Sequence, residues 1–530
     1  MPVDAGEVDE MEISTRGSQL EEITRAMVGG GLVSPTKNVE VRETHASRVF
    51  LTLSDVYKLK KPVDLGFLNY STLARRRTMC RLEVSLNQRL APDVYLGVDR
   101  LTRERDGELA LNGRGPVVEY LVHMRRLADE VSLDSLLRSG EAGPTQVRNV
   151  GAILGAFHSS AAPVSISLGP QTFRRNARDN LASLQSSWPA TLPGFALGEI
   201  SSRFLEALEG SRREIARRAK AGLVRDGHGD LRMEHVYLEE RVQVIDCVEF
   251  SKQYRASDTA LDFAFLVMDM ESSGYAHLVG PLIDGYQSSA NDDVGAVRGI
   301  YSVYRALVRA KVALILAGEE DAPGAARRAA GMNARMHLHY TLRTLRGLQP
   351  PLLLAIGGLP GTGKSTLARA LAAATGSVVR SADETRKRLA GMAANTHPES
   401  AIDSGIYSEA MNKRVYSRLL EEASAALRSG RSCILDATFR RARDVDQVRQ
   451  LAVRTGAAFL MVRCEAPEET VLERLRQRAT TPDTWSDATE ATYFAHRSEV
   501  NEVLDEAALI VDTTRPITEQ VDVVLTQLWS

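Results

Sequence analysis

Gly358-Leu-Pro-Gly-Thr-Gly-Lys-Ser-Thr366 is the stretch on which the reading of the fold turns. It fits the Walker A pattern G-x-x-x-x-G-K-[ST], running from Gly358 through Gly363 to Lys364 and Ser365. An apolar run precedes it at 352–356, and a small-residue helical stretch follows at 367–374. That is the strand–loop–helix setting the motif needs. Gly358, Gly361 and Gly363, with Thr362 and Thr366 beside them, let backbone N–H groups curl around a polyphosphate. The helix N-terminus adds partial positive charge. Lys364 is placed to reach the terminal phosphates, and Ser365 to ligate Mg²⁺. The alternative is a glycine-rich turn without a ligand, and the flanking elements argue against it.

Outward from the motif, Gly347-Leu-Gln-Pro-Pro351 punctuates the chain just before the first strand and reads as a linker, 347–351. Beyond it, short apolar runs at 352–356, 378–379, 432–435, 458–463 and 509–511 alternate with helical stretches. That alternation predicts a parallel, doubly wound α/β sheet with helices on both faces. In the first half, β-rich runs at 39–42, 47–53 and 56–60 surround a turn at Ser54-Asp55. Helical spacing covers 73–90, and strands return at 95–101, 107–111 and 117–123. From 132 to about 343 the pattern is helical, apart from a strand–turn–strand island at 223–250. The expected domains are a flexible acidic tail at 1–18, a first domain at 19–346, the linker, and a second domain at 352–530.

A chain of 530 residues exceeds one hydrophobic core. Its 44% hydrophobic and 25% charged residues are those of a soluble globular protein. A formal net charge of −2 supplies no global basic field for nucleic acid. No apolar run approaches the roughly 20 residues of a membrane helix. The first residues lack the basic start and apolar core of a secretion signal. Four scattered cysteines without a C-x-x-C pair read as free thiols, so a cytoplasmic location is expected.

A second constellation lies in 224–249. His228-Gly229-Asp230 sits in a loop, and Asp246 ends an apolar run beyond a turn at 239–241. Two strands around that turn would bring Asp230 and Asp246 together, and paired carboxylates suit Mg²⁺ and proton handling. This H-G-D-x-x-x-x segment, followed by a run ending in Ile245-Asp246, resembles the aminoglycoside phosphotransferase-like kinases. Tyr254-Arg-Ala-Ser-Asp258-Thr-Ala fits the place where that family carries a structural Asp. The two halves together resemble bacterial proteins that join such a domain to a P-loop kinase. The resemblance implies a bilobal protein-kinase-like first domain. It makes Asp230 the base, Asp246 a metal ligand and His228 the residue that shapes the loop. Lys58 or Lys60, on one face of the same strand, would pair the nucleotide phosphates with Glu83 as partner. The stretch 118–126 would contact adenine. One departure stands out: the family's metal-binding Asn is His235 here, and imidazole is a poorer Mg²⁺ ligand than an amide oxygen. Glu234 and Glu249 are nearby acidic candidates.

In the second domain, Ser432-Cys-Ile-Leu-Asp436 is an apolar strand ending in a carboxylate that can hold the Mg²⁺ shell. Ala437 stands where mechanical ATPases carry Glu, which favours transfer to a bound acceptor. Asp383-Glu-Thr-Arg386 resembles the corresponding stretch of P-loop small-molecule, polynucleotide 5′-hydroxyl and zeta-toxin kinases. In those, Asp383 would activate the acceptor hydroxyl and Arg386 would orient substrate. The alternative is that Asp383 caps a helix at 384–389. Arg474 and Arg478 lie one turn apart on a helical run and resemble lid arginines, or else belong to a solvated basic face. Arg440, Arg441, Arg443 and Arg449 follow the Asp436 strand, some as candidates for binding an anionic acceptor. Tyr407 and Tyr416 read as core or pocket wall.

The expectation is therefore a two-domain kinase-like protein that uses ATP and Mg²⁺. It would transfer phosphate to a hydroxyl of a small molecule or a nucleic-acid end. Two other readings stand beside it: a front pseudokinase that senses a ligand and regulates the rear kinase, and an ATP-dependent switch without an acceptor. Neither the acceptor nor the oligomeric state has a spacing that can be read.

Overall fold

The computed structural model describes residues 19–29, 31–33, 39–64, 66, 68–165, 170–319, 322–347, 350–393, 405–479, 488–501 and 508–530. The expected tail, 1–18, and residues 348–349 of the expected linker lie outside the described residues. By packing, the chain divides into two compact units. One comprises 1–173, 216–266 and 281–293; the other comprises 174–215, 267–280 and 294–530.

The front unit carries a six-stranded antiparallel sheet: β1 (Glu40–Glu43), β2 (Ser47–Leu51), β3 (Asp55–Lys60), β4 (Tyr95–Arg103), β5 (Leu109–Leu111) and β6 (Val117–Arg125), in the order β1-β2-β3-β6-β4-β5. The expected hairpin at Ser54 is present: Leu51 opposes Val56, and the Thr52 N–H donates to the Asp55 carbonyl at 2.8 Å. The stretch expected to contact adenine is mostly β6, paired with β3 on one side and β4 on the other. Only Arg126 lies beyond the strand. The helix Leu73–Asn87 starts where Thr72 accepts from the Arg75 N–H. It packs Cys80 and Val84 against Val122 and Met124, which holds Glu83 fully buried. Four short strands follow. β7 (Val224–Asp226) pairs with β10 (Ala256–Asp258), and β8 (Val236–Leu238) forms a hairpin with β9 (Val242–Val244). β10 lies beyond the expected island. It is three polar or small residues long and has no apolar alternation to betray it.

The rear unit is built on a parallel sheet of β11 (Leu352–Gly357), β12 (Val378–Ser381), β13 (Cys433–Asp436), β14 (Ala458–Glu465) and β15 (Leu509–Asp512). The order is β12-β13-β11-β14-β15, so β11 is central and every one of its residues is buried. A continuous apolar run is what a strand covered on both faces requires. The sheet order switches direction at β11, and the loop leaving its C-terminal end is where ligands bind in such folds. The helix Lys364–Thr375 follows that loop.

The compact units do not part at 347–351. Helices Gly194–Gly210, Gly295–Gly318 and Gly324–Arg346 all belong to the rear unit. Arg335 of the helix Gly324–Arg346 grips Asp522 of the C-terminal helix Ile517–Trp529 through two bonds of 2.5 and 2.6 Å. Trp529 Nε1 donates to His339 Nδ1 at 3.1 Å. Among the described residues, no helix is long and apolar enough to cross a membrane. All four cysteines are buried and free.

Candidate active sites

In the rear unit, the loop after β11 closes as its glycines predict. Gly363 caps the helix Lys364–Thr375 with φ 89°, in the left-handed region. Gly358 has φ 138°, and a Cβ there would lie 2.6 Å from the Cys464 carbonyl. Lys364 folds back to donate to the Leu359 carbonyl at 2.8 Å. The loop opens into a cavity of about 750 Å³ that brings together Lys364, Ser365, Asp383, Arg386 and Asp436. Gly361, Gly363 and Thr366 also line it, whereas Gly358 and Thr362 face a separate cavity of about 510 Å³. Asp436 is 5% exposed at the end of β13, and burial raises its carboxyl above the usual range against the pull of Lys364. The neighbouring Ser365 hydroxyl also draws it down. A hydroxyl and a buried carboxylate side by side are hard oxygen donors that fit Mg²⁺.

Asp383 does not cap its helix. Ser381 is the N-cap of Ala382–Leu389, so Asp383 lies in the first turn, on the cavity wall. Arg386, one turn on, is 7% exposed and donates to the Ile406 carbonyl at 3.1 Å and to Asn412 Oδ1 at 2.6 Å. Tyr407 and Tyr416 are pocket wall. Arg474 is tied to Thr513, donating to its hydroxyl at 3.0 Å and its carbonyl at 2.7 Å, and does not line the larger cavity. The side chain of Arg478 lies outside the described residues.

In the front unit, the two lysines left open by the sequence have different surroundings. Lys60 is 1% exposed; its ammonium pairs with Glu83 Oε2 at 2.5 Å and with Glu249. Tyr70 also donates to Glu249, at 2.5 Å. Lys58 bridges Glu83 Oε1 at 2.9 Å and Asp246 Oδ1 at 2.8 Å. Asp246 has φ 65°, a left-handed conformation that costs a non-glycine residue energy. The Lys58 ammonium holds its carboxyl far below the usual range.

His235 comes close to Asp230 and Asp246, with one ligand atom from each of the three all within 4.8 Å of one another. Its Nδ1 lies 2.8 Å from the Asp230 carbonyl, which can only accept, so Nδ1 carries the proton. Its Nε2 then accepts from Arg232 Nη2 at 2.9 Å. Arg232 also holds the Asp230 carboxylate, Nη2 to Oδ2 at 3.0 Å. Asp246 fits a hard cation, whereas an imidazole and a guanidinium beside Asp230 make the rest of the set less apt for Mg²⁺. His228 shapes the loop: Nε2 donates to the Ile245 carbonyl at 3.0 Å, and Nδ1 accepts the Asp230 N–H at 3.3 Å. Burial lowers its pKa to about 4, so it is neutral.

The structural carboxylate of this loop is Asp262. It accepts the His228 N–H at 2.6 Å and the Gly229 N–H at 2.8 Å. Asp258, expected there, instead pairs with buried Arg218 at 2.9 Å. Asp258 ends β10 and Asp262 lies in the first turn of the helix Thr259–Ser272 that follows, and spacing alone does not say which of them meets the loop.

The AAA domain family matches residues 353–502. Uncharacterized proteins of Mycobacterium tuberculosis and Mycobacterium bovis are 33% identical over 446 residues, which is 83% of this chain and 86% of theirs. The chain belongs to the family of these mycobacterial proteins. Similar solved structures include the APS kinase of M. tuberculosis in complex with AMPPNP and APS, at 21% identity and TM-score 0.26, over 34% of this chain and 99% of that one. Another is a choline/ethanolamine kinase family protein from Mesorhizobium loti, at 14% identity and TM-score 0.35, over 61% of this chain and 99% of that one.

For this member of the mycobacterial family, sequence reasoning missed Arg232, Asp262 and Asn412. Arg232 had a signal, standing two residues after Asp230 in the same tight loop. Asn412 had none, since it reaches Arg386 from 26 residues away. The AAA domain match spans the Walker A loop, Asp383 and Asp436 of the rear unit.

Proposed function

We propose that the rear site binds ATP with Mg²⁺ and transfers its γ-phosphoryl group to a hydroxyl of an acceptor. The observation that carries this reading is the meeting of Lys364, Ser365, Asp436 and Asp383 on one cavity wall. Lys364 and the loop amides hold the phosphates. Ser365 and Asp436 would hold Mg²⁺, which offsets phosphate charge when bound. Asp383 takes the acceptor hydroxyl's proton. The acceptor oxygen bonds to the γ-phosphorus as the bond from that phosphorus to the β–γ bridging oxygen breaks, and ADP leaves. Arg386 orients the acceptor, and Arg474, held by Thr513 outside the larger cavity, would have to leave that partner to act as a lid arginine. A switch without an acceptor is disfavoured by Ala437 after Asp436 and by the size of the cavity.

In the front unit, Lys58 with Glu83 would pair the nucleotide phosphates and Asp246 would take the metal. A second reading of this unit has specific support: the Asp230 carboxylate is engaged by Arg232, and His235 replaces the amide ligand. On that reading the front unit binds a nucleotide or metabolite and controls the rear site.

The test is γ-labelled ATP incubated with the full chain and a cell extract. A labelled compound lost with Asp383→Asn and kept with Asp230→Asn supports transfer at the rear. Loss with Asp230→Asn alone moves the chemistry to the front. Label found only in inorganic phosphate favours the switch.

A further inference from the structure

The cavity in the rear unit is more cationic than phosphate binding by the loop explains. On the loop side, Lys364 and Arg369 are matched by Asp383 and Asp436. Among the described residues, the rest of the wall carries Arg386, Lys413, Arg441 and Arg443 against one lining carboxylate, Asp444. Three of these cations crowd a single carboxylate just outside: Glu409 lies 3.6 Å from Lys413, 3.2 Å from Arg441 and 3.7 Å from Arg443. Asp444 lies 3.7 Å from Arg443 as well, and among the described residues two carboxylates against three cations leave that group with net positive charge.

Arg386 supplies an independent observation. It is 7% exposed, lines the cavity, and has a buried Nε without a hydrogen-bond partner. Its Nη1 is spent on a carbonyl and an amide, and its guanidinium lies 5.0 Å from the Tyr407 ring centroid. Among the described residues, no carboxylate pairs with it. A buried cation with only neutral partners is costly, and a bound anion would relieve that cost. A guanidinium fork presents paired donors that match the oxygens of phosphate, sulfate or carboxylate.

We infer that the acceptor at this site is itself an anion: a hydroxyl compound that already carries an oxyanion group, gripped by Arg386 and the Lys413–Arg441–Arg443 cluster. This deepens the phosphotransfer reading and rests on it. The cluster lies on the helix Glu409–Arg428 and on the segment just after β13, within eight residues of Asp436. It therefore borders the place where Asp383 meets the acceptor hydroxyl. A neutral sugar would leave these charges uncompensated, whereas a phosphorylated, sulfated or carboxylated one would use them.

The test is calorimetry on the full chain with the loop saturated by AMPPNP and Mg²⁺. The probes are inorganic phosphate, sulfate, acetate and, as the neutral control, glycerol. The comparison is the Arg441→Gln/Arg443→Gln double variant, whose altered side chains are 41% and 51% exposed and so leave folding intact. A thermal melt checks that. Supporting results are binding of at least one oxyanion but not glycerol, weakened about tenfold or more in the double variant with AMPPNP affinity unchanged. The strongest of the three oxyanions names the group. Oxyanion binding that is absent, equal in both proteins, or no tighter than that of glycerol overturns the inference. If AMPPNP does not bind while oxyanion binding still weakens in the double variant, the anion pocket stands and the phosphotransfer reading falls.

Discussion

Lys58 Nζ stands 2.8 Å from Asp246 Oδ1, while Lys60, two residues along the same strand, turns to Glu249. Two lysines on one face thus have separate tasks. Lys58 lies between the helix glutamate and the candidate metal ligand. Lys60 neutralises two buried carboxylates.

Their substitutions should part accordingly. Lys60→Met leaves Glu83 and Glu249 buried beside one remaining cation, and a broken buried pair costs about 3–5 kcal/mol. Urea unfolding should register most of that. Lys58→Met should cost far less, because Lys60 still pairs with Glu83, yet it should remove nucleotide binding by the front unit. Equal loss of stability in the two variants would contradict this division.

Burial lifts the Asp436 carboxyl above the ordinary Asp range. A raised acid loses its charge at a higher pH than a free one, so acidification should weaken Mg²⁺-supported nucleotide binding at the rear before ordinary aspartates titrate. Asp436→Asn should abolish the Mg²⁺ enhancement and flatten that acid limb. Fluorescent-nucleotide titrations across pH, with and without Mg²⁺, check both.

Lys364→Ala should lower ATP turnover by about a hundredfold or more, as loss of a preorganised charge at the transferring group does. Steady-state assays on the full chain measure it. Unchanged turnover would remove this loop from the account.

His339 is held neutral inside the rear unit, its pKa pushed down to about 3 by burial. The unfolded chain protonates near the ordinary value of about 6.5. Between those values the unfolded state binds more protons, so stability falls as pH drops below about 6.5 and stops falling near 3. The slope is about 1.4 kcal/mol per pH unit, or about 2 kcal/mol at pH 5. His339→Gln keeps an acceptor for Trp529 and should remove this part of the acid loss, as seen in urea midpoints at pH 7 and pH 5.

Arg335 and Asp522 form the buried tie between the helix before the linker and the last helix of the chain. Arg335→Ala should cost about 3–5 kcal/mol, and Arg335→Met with Asp522→Leu should recover much of it. For the same reason a 350–530 fragment, which loses Arg335 and His339, should melt well below the full chain.

Much of the site was legible because short motifs are local physics. Gly358 to Thr366 names its ligand through backbone freedom and two side chains. A strand ending in Asp436 places a carboxylate at the C-terminal end of the sheet, beside the loop. The β2–β3 hairpin follows from Ser54-Asp55 between alternating apolar residues. What was not legible depends on contacts across the chain. Asp262 and Asp258 sit in one short segment, and only packing shows which meets the His228 loop. Asp383 could have been a helix cap until Ser381 took that position.

The sequence by itself determined which groups could do chemistry and which strands would carry them, because spacing, turn residues and apolar periodicity act over a few residues. Tertiary structure decided which lysine faces Asp246, that Arg232 holds Asp230, and that the helices before residue 347 belong to the rear unit. Those outcomes rest on buried charge finding its countercharge and on apolar faces finding each other, over distances along the chain that no local pattern spans.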